Sequence, residues 1–288
     1  MNISVKVRVL NLFRFVFKLP ILEQWLAANT LNKSPNHIIC KLVPNPYQYA
    51  PATYRTIQRD HLTLEVDISD YIGHLLFFGF LDSAITKLFS LCKPTDNVID
   101  IGTNIGWTAL NFAKRSHSGS VIGFEPDPFN YRACQLNIAR NTFPNLTVYP
   151  FGLGEATHQV MMELRTPENR GGNRVAPSGN PGSVPVQIRR LDEVEEVVSL
   201  SKIHLMKLDV EGYELKVLRG AKAILQKHKP ILFIEVDDDN LKDQNDSAME
   251  LLQFLAQCGY RSFEHSETGV EITPDYDFSH CHFDMIAR

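Results

Sequence analysis

Several features that define other protein classes are missing from this 288-residue sequence. The five cysteines form no Cys-x-x-Cys pair and no His/Cys cluster, which argues against a disulfide framework and a zinc site and predicts reduced thiols in a cytoplasmic protein. The formal net charge is −4, so the basic face that non-specific nucleic-acid binding requires is not expected. No internal repeat is present.

Long uninterrupted apolar runs are also absent at the N-terminus, MNISVKVRVLNLFRFVFKLPILEQW. Lys6, Arg8, Arg14 and Lys18 interrupt the apolar residues and no acid precedes Glu23, so neither a signal peptide nor a membrane span is predicted. Three interpretations stay open. The favoured one is a helix whose Val, Leu and Phe side chains pack on the main domain. The others are a basic interfacial helix that touches a membrane through residues 1–26, and an organelle-targeting segment.

The sequence divides into three segments by composition. Residues 1–50 form an N-terminal helical extension and a connector, KLVPNPYQYAP. Residues 51–95 form a lead-in, with a half-buried strand predicted by the alternation in HLTLEVDIS and one mostly apolar helix in GHLLFFGFLDSAITKLFSLC. Residues 96–288 form the main domain. A Gly- and Pro-rich stretch, Arg165–Pro185, reads as a loop within it and is a candidate lid that selects the acceptor.

Apolar strands alternate with helical stretches through this main domain. The predicted strands are NVIDIG, SVIGFEP, LTVYPFG, HLMKLDV and PILFIEV, with a final pair near YRSFEH and FDMIAR. Uninterrupted apolar strands separated by helices are typical of a parallel sheet covered on both faces. We therefore predict an open, doubly wound α/β fold.

The first of these strands ends in a glycine turn, Asp100-Ile-Gly102-Thr-Asn-Ile-Gly106. A dinucleotide fold places G-x-G-x-x-G here, but Thr103 replaces the middle glycine and Asp100 brings a negative charge. That charge disfavours a pyrophosphate and suits a ligand with an ammonium group, such as S-adenosylmethionine. Glu125, at the end of the second strand, is placed to accept hydrogen bonds from both ribose hydroxyls.

Acidic residues also follow the strand HLMKLDVEG. Alternation puts Lys207 and Asp209 on one face, with Glu211 just beyond the strand end. A lysine in an apolar central strand needs a partner, and Glu235 in the next strand is the expected one. Such an acidic end suits the orientation and deprotonation of a hydroxyl, or a divalent ion that does so; no firm metal-ligand pattern is present. The Asn/Asp-Pro-Pro-aromatic motif of amine methyltransferases is absent.

Four segments together resemble the FkbM family of S-adenosylmethionine-dependent methyltransferases. They are DISDYIGHLLFFGF, VIDIGTNIGW, VIGFEPDPFNYRACQLNIARN and MKLDVEGYELKVLRGA followed by KPILFIEV. Their order and spacing match over roughly residues 59–236. The family usually has Ala in place of Thr103, a small change that should leave the turn intact.

The resemblance implies the class I methyltransferase fold, with a Rossmann-like, mostly parallel seven-stranded sheet, and assigns the following site residues. The cofactor's methionine end would lie along Asp100, Gly102, Asn104 and Gly106; its ribose on Glu125; and its adenine near Pro126, Phe129, Gly152 and Leu153. Asp209 and Glu211 would face the reacting centre, and with Lys207 they are the candidate catalytic residues. His265 is an alternative base.

The predicted function is S-adenosylmethionine-dependent O-methylation of a hydroxyl on a sugar, a glycan or a secondary metabolite. Two alternatives stay open: a non-catalytic domain that binds S-adenosylmethionine as a scaffold, and an NAD-dependent oxidoreductase, which the glycine spacing disfavours.

Overall fold

The computed structural model describes residues 5–80, 82–164, 169–176 and 182–288. These residues form two compact units, one within Met1–Ser83 and Arg165–Gly171, the other within Ala84–Leu164 and Gly172–Arg288. The segment boundaries predicted at residues 50 and 95 stay predictions.

The first unit combines helices with a two-stranded antiparallel sheet. Its elements are α1 (Val5–Val16), α2 (Pro20–Thr30), β1 (Tyr54–Arg59), β2 (Leu62–Asp67) and α3 (Tyr71–Phe78), with 3₁₀ turns at Ile38–Leu42 and Pro46–Gln48. The predicted half-buried strand is confirmed, because every second side chain from Leu62 to Ile68 is buried. Its partner β1 was not predicted.

One long apolar helix was predicted after β2, and that prediction is wrong. Asp70 caps α3 by accepting hydrogen bonds from the main-chain N–H groups of Ile72 and Gly73. Gly79 then ends the helix in a left-handed conformation with φ 64°. A second helix, α4 (Ser83–Leu91), follows.

The second unit contains a seven-stranded, mostly parallel sheet. Its elements, in chain order, are β3 (Val98–Ile101), α5 (Trp107–Arg115), β4 (Val121–Phe124), α6 (Pro128–Ala139), β5 (Leu146–Tyr149), β6 (Gly152–Leu153), β7 (His158–Glu163), β8 (Arg174–Ala176), β9 (Val184–Arg189), α7 (Glu195–Val198), β10 (Leu205–Leu208), α8 (Glu214–Gly220), α9 (Lys222–His228), β11 (Ile231–Asp237), α10 (Asp238–Asp243), α11 (Ala248–Gln257), β12 (Phe263–His265) and β13 (His282–Ala287). Short 3₁₀ turns lie at Arg170–Gly172 and Leu191–Glu193.

The strand order of this sheet is β12-β13-β11-β10-β3-β4-β5, and only β13 runs antiparallel to its neighbours. The predicted doubly wound class I methyltransferase fold is thereby confirmed. The central strands β3, β4 and β10 are buried on both faces, which is why they read as apolar runs whose only charged residues are Asp100 and Lys207. Their side chains join those of the flanking helices in one large core.

A second, four-stranded sheet of order β6-β9-β7-β8 was not predicted. It corrects the loop predicted for Arg165–Pro185, because Arg174–Ala176 is β8 and Val184 begins β9. The rest of the proposed lid, residues 165–168 and 177–181, lies outside the described residues. The helix predicted over GYELKVLRGAKAILQKH is divided into α8 and α9 at Ala221, whose φ is −112°.

The N-terminal helix forms, but it does not bury its apolar side chains as the favoured interpretation expected. In the part of α1 whose side chains are described, Leu12 is 74% exposed and Phe13 66% exposed. No single helix among the described residues is long and apolar enough to cross a membrane; α3 and α4 meet that length and composition test only when they are taken together.

Candidate functional site

The predicted site residues converge where the order of the sheet reverses. From β3 the chain passes to β4 and β5 on one side, and later fills β10 and β11 on the other. In open α/β sheets this switch point opens a crevice at the carboxyl ends of the strands. The register pairs Asp100 of β3 with Lys207 of β10, so the glycine turn and the acidic strand end lie side by side.

The glycine turn after β3 is held in a conformation that few residues adopt. Gly102, Asn104 and Gly106 have φ of 81°, 52° and 92°. A Cβ on Gly102 would lie 1.9 Å from the main-chain oxygen of Asp209, so this position requires glycine. Thr103 is buried in the same turn, and its hydroxyl donates to Asp100 O at 3.1 Å. The turn therefore accommodates Thr103, as expected.

Asp100 lies beneath this turn and is 0% exposed. Its Oδ2 accepts a 2.6 Å hydrogen bond from the Thr108 hydroxyl, and Oδ1 lies 3.8 Å from Lys207 Nζ. Burial raises the pKa of Asp100 to about 6, although the Lys207 charge and the Thr108 hydrogen bond oppose this rise. The Asp100 carboxylate thus contacts Thr108 of α5 and Lys207 of β10, which lie beside the turn.

Lys207 forms its nearest ion pairs with acids other than Glu235, the predicted partner, although the charge of Glu235 also raises the pKa of Lys207. Its Nζ lies 3.2 Å from Asp209 Oδ2 and donates a 2.8 Å hydrogen bond to Gly102 O, whereas its ion pairs within 4.0 Å, to Asp209 and Asp100, do not include Glu235 among the described residues. Burial alone would lower the pKa of Lys207, but Asp209 and Asp100 raise it above its ordinary value. The lysine therefore stays charged, as the link between strand and turn.

Glu125 follows β4 and faces the same turn. Its two carboxylate oxygens accept hydrogen bonds from the main-chain N–H groups of Asn104 at 2.7 Å and Asp127 at 2.9 Å. Glu125 is 5% exposed, and this burial raises its pKa to about 7, against the effect of the two N–H donors. Its remaining lone pairs can accept two ribose hydroxyls.

The residues predicted for the adenine are partly brought together. A Cβ on Gly152 would lie 3.3 Å from the Pro126 ring, so the end of β4 and the start of β6 meet here. Leu153 is buried, whereas Phe129, in the first turn of α6, is 41% exposed. Pro126 and Gly152 thus form one wall of the predicted adenine site. The ring of Phe129 follows Pro126 by three residues in the chain.

Three carboxylates gather at the ends of β10 and β11. Asp209, Glu211 and Glu235 each offer one oxygen, and these atoms lie within 4.8 Å of one another. We call these three residues the carboxylate cluster. Glu211 has φ 55°, and its Oε2 accepts a 3.2 Å hydrogen bond from Asn240 Nδ2. Oxygen ligands of this kind also suit divalent cations.

Glu235 is the member of the cluster that sequence reasoning assigned only as a partner for Lys207. Its Oε2 is buried and accepts no hydrogen bond from the described residues. Burial raises the pKa of Glu235 well above its ordinary value, and repulsion from Asp209, Glu211, Glu214 and Asp284 raises it further. A raised pKa makes the ionised carboxylate a stronger base.

A histidine next to Glu235 was missed. His282 of β13 lies opposite Asp237 of β11, and its Nδ1 is 3.0 Å from Asp237 Oδ2. Its Nε2 is 3.8 Å from Glu235 Oε1. The predicted alternative, His265, lies on β12, three strands from β10 and therefore roughly 14 Å away. Only the register of the antiparallel pair, which the sequence does not state, identifies His282.

Glu214 is a buried acid that was not predicted, and it supports the carboxylate cluster. Glu214 is 1% exposed, and its Oε1 accepts hydrogen bonds from the N–H groups of Val210 at 3.0 Å and Gly212 at 3.2 Å. Burial raises its pKa to about 7. Glu214 thereby fixes the short loop that carries Glu211.

Two curated relatives are similar to about half of the chain. Hexuronic acid methyltransferase AglP of Haloferax volcanii is 30% identical over 144 residues, 49% of this chain and 56% of the relative. The 2-O-methyltransferase NoeI of Sinorhizobium fredii is 28% identical over 165 residues, 52% of this chain and 66% of the relative. The chain thus spans less than two thirds of the length of these relatives.

Among solved structures, the FkbM methyltransferase from Methylobacillus flagellatus KT aligns with a TM-score of 0.46 and 21% identity, over 68% of this chain and 44% of that one. Residues 100–262, more than half of the chain, match the family model described as Methyltransferase FkbM domain. The chain belongs to the FkbM methyltransferase family.

Proposed function

We propose that this protein transfers the methyl group of S-adenosylmethionine to a hydroxyl oxygen. The observation that carries the proposal is the contact between Gly102 and the main-chain oxygen of Asp209, which sets the glycine turn directly beside the carboxylate cluster. One strand end can then hold the cofactor while its neighbour orients and deprotonates the acceptor. Membership of the FkbM methyltransferase family supports the same reaction.

The residues around the turn suit the parts of S-adenosylmethionine. Main-chain groups of Gly102, Asn104 and Gly106 would bind the methionine end, and Glu125 the ribose hydroxyls. Pro126, Phe129, Gly152 and Leu153 would surround the adenine. Asp100 and Lys207 are almost fully buried, so we assign both as positioning residues that hold the turn. For Lys207, this assignment replaces the catalytic role that was predicted from the sequence.

The proposed chemistry is an in-line displacement. The hydroxyl oxygen forms a bond to the methyl carbon, the carbon–sulfur bond breaks, and its electron pair goes to sulfur to give S-adenosylhomocysteine. Alignment of the two reactants contributes ~7–11 kcal/mol, and a positioned base contributes roughly a hundredfold in rate. The protein therefore needs a rigid turn and one proton acceptor.

We assign Glu235 as that proton acceptor. Glu235 belongs to the carboxylate cluster, its Oε2 accepts no hydrogen bond from the described residues, and its raised pKa increases its basicity when ionised. Its other oxygen faces His282 Nε2 at 3.8 Å, and the His282 side chain is 66% exposed. A proton taken by Glu235 can then pass to His282, which Asp237 holds, and from there to solvent. Asp209 and Glu211 would accept hydrogen bonds from the acceptor's hydroxyls.

The charge of the cluster also bears on the acceptor. Three carboxylates within 4.8 Å repel an anion and suit a ligand that brings several hydroxyl donors. We propose a neutral polyol, a sugar or glycan rather than a uronic acid, as the first choice, and a polyhydroxylated secondary metabolite as the second. The relative named hexuronic acid methyltransferase therefore would differ from this chain in acceptor charge.

Methyl transfer from labelled S-adenosylmethionine to a panel of neutral glycans, uronic acids and phenols tests the proposal. Methylation of a neutral polyol in preference to its uronate is the expected result. S-adenosylhomocysteine binding without transfer to any acceptor would favour the scaffold alternative. A thermal shift with NADH but none with S-adenosylhomocysteine would favour the oxidoreductase.

We further propose a reducing, cytoplasmic setting, which the five unpaired cysteines support.

A further inference from the structure

The first helix is attached to its unit through polar side chains. Asn11 Nδ2 donates to the Tyr47 hydroxyl at 3.0 Å, and Arg14 Nε donates to Lys41 O at 2.8 Å. Lys18, four residues further, donates to Gln48 O. Spacings of three and four residues place these three side chains along one side of the helix and the turn after it. A helix that packs on a protein core would present its apolar side chains instead.

The apolar side chains of this region therefore point away from the unit. Seven of them, between 48% and 84% exposed, form what we call the N-terminal apolar surface: Leu12, Phe13, Phe15, Val16, Leu19, Ile21 and Trp25. They lie within residues 12–25, which comprise the end of α1, the turn after it and the start of α2. Contiguous exposed apolar side chains of this size mark an interaction surface.

The charge of this region identifies the kind of partner. Residues 1–59 contain eight Lys and Arg residues and one acid, Glu23, a net charge of +7, whereas the remaining 229 residues bring the total to −4 and so carry −11. Glu23 is 1% exposed and bound to Arg55 Nε at 2.7 Å. Arg14 and Lys18 donate hydrogen bonds to main-chain and amide oxygens, so neither charge is neutralised by an acid in these bonds.

We propose that the N-terminal apolar surface docks on an anionic lipid bilayer, with α1 and the start of α2 lying in the interface. Exposed Phe, Leu, Ile and Trp side chains would enter the headgroup region, and the surrounding Lys and Arg residues would attract the anionic lipids. A second copy of this chain is disfavoured as the occupant, because residues 12–25 carry Arg14 and Lys18 while their one acid, Glu23, is buried, so two such surfaces would repel each other. This property goes beyond methyl transfer and does not depend on it.

The test is co-sedimentation of the full chain with large vesicles, either of pure phosphatidylcholine or with about a third phosphatidylserine. The disruptive variant is Leu12→Ser with Leu19→Ser. The matched control is Leu136→Ser with Val270→Ser, which removes two apolar side chains exposed to 46% and 53% elsewhere. Thermal unfolding of each variant checks that it is folded.

We expect binding to the anionic vesicles that falls about tenfold or more in the disruptive variant and is unchanged in the control. Salt at about 0.5 M should also weaken the binding of the wild-type protein to anionic vesicles. Equal binding by both variants, or no binding to anionic vesicles, overturns the proposal. So does a dimer in sedimentation velocity that the Leu12→Ser, Leu19→Ser variant abolishes, because that result assigns the surface to a second copy.

Discussion

Lys207 Nζ donates a 2.8 Å hydrogen bond to the main-chain oxygen of Gly102, and this bond joins a central strand to the glycine turn. The lysine is 5% exposed and lies between two carboxylates, Asp100 and Asp209. A buried cation with three oxygen partners is held in one geometry. The turn that would bind the cofactor therefore depends on a side chain that need not touch the cofactor.

Replacing Lys207 with methionine should destabilise the protein by about 3–5 kcal/mol, because Asp100 then loses its buried counter-charge. Urea unfolding measures the loss. The double variant Lys207→Met with Asp100→Asn should recover part of the stability, since the unpaired charge is removed. If the single variant is as stable as the wild type, Lys207 does not hold the turn.

Gly102→Ala should abolish binding of S-adenosylhomocysteine, because the added Cβ would lie 1.9 Å from Asp209 O. Gly269→Ala is the matched control: Gly269 also has a positive φ, 68°, but a Cβ there meets nothing within 4 Å. Both variants carry the backbone strain of a left-handed residue, and only one carries the clash. Calorimetry should find near wild-type affinity in the control; equal losses in both would assign the effect to strain alone.

Much of the sheet and of the cofactor turn could be predicted because local sequence determines them. Strands such as Val98–Ile101 and Leu205–Leu208 are buried on both faces, and burial on both faces leaves largely apolar runs in the sequence. Gly102 and Gly106 have positive φ, so the turn requires the residue type that the motif displays.

The relations between distant segments could not be predicted in the same way. Lys207 pairs with Asp100 because the parallel register puts Asp100 opposite it, whereas Glu235 lies two residues beyond Phe233, the residue opposite Lys207 on the other side. His282 joins the site through an antiparallel register at the far end of the chain. The apolar face of α1 points outward because polar contacts with the following connector decide its rotation. Periodicity alone does not report which face is outward.

Binding of S-adenosylhomocysteine should strengthen as pH rises through about 7, the pKa to which burial raises Glu125. The sign follows from the hydrogen bonds, because ribose hydroxyls donate to the ionised carboxylate and not to its protonated oxygen. Glu125→Gln removes this titrating group, so its binding should be weaker by about tenfold or more and should lack the rise centred near pH 7 within the range of about 5.5 to 8; a dependence near pH 6, the pKa of Asp100, remains in both proteins. Calorimetry across this pH range distinguishes the Glu125→Gln variant from the wild type. A wild-type affinity that does not change with pH would contradict the role assigned to Glu125.

Glu235→Gln should lower kcat by about a hundredfold or more while leaving the affinity for S-adenosylmethionine unchanged, because the proton acceptor is lost and the glycine turn is not. In the wild type, kcat should fall as pH drops through the raised pKa of Glu235, since only the ionised carboxylate accepts a proton; the variant should lack this dependence. Glu195→Gln, an exposed carboxylate at the start of α7, is the matched control and should retain full activity.

The same assay decides what the carboxylate cluster holds. With Glu235 as the proton acceptor, treatment with EDTA should leave kcat unchanged. Loss of activity in EDTA that Mg²⁺ restores would instead assign Asp209, Glu211 and Glu235 to a divalent cation, which then would activate the hydroxyl by lowering its pKa. In that case Glu235→Gln should raise the Mg²⁺ concentration needed for half-maximal activity, whereas a pure proton acceptor would give no such shift.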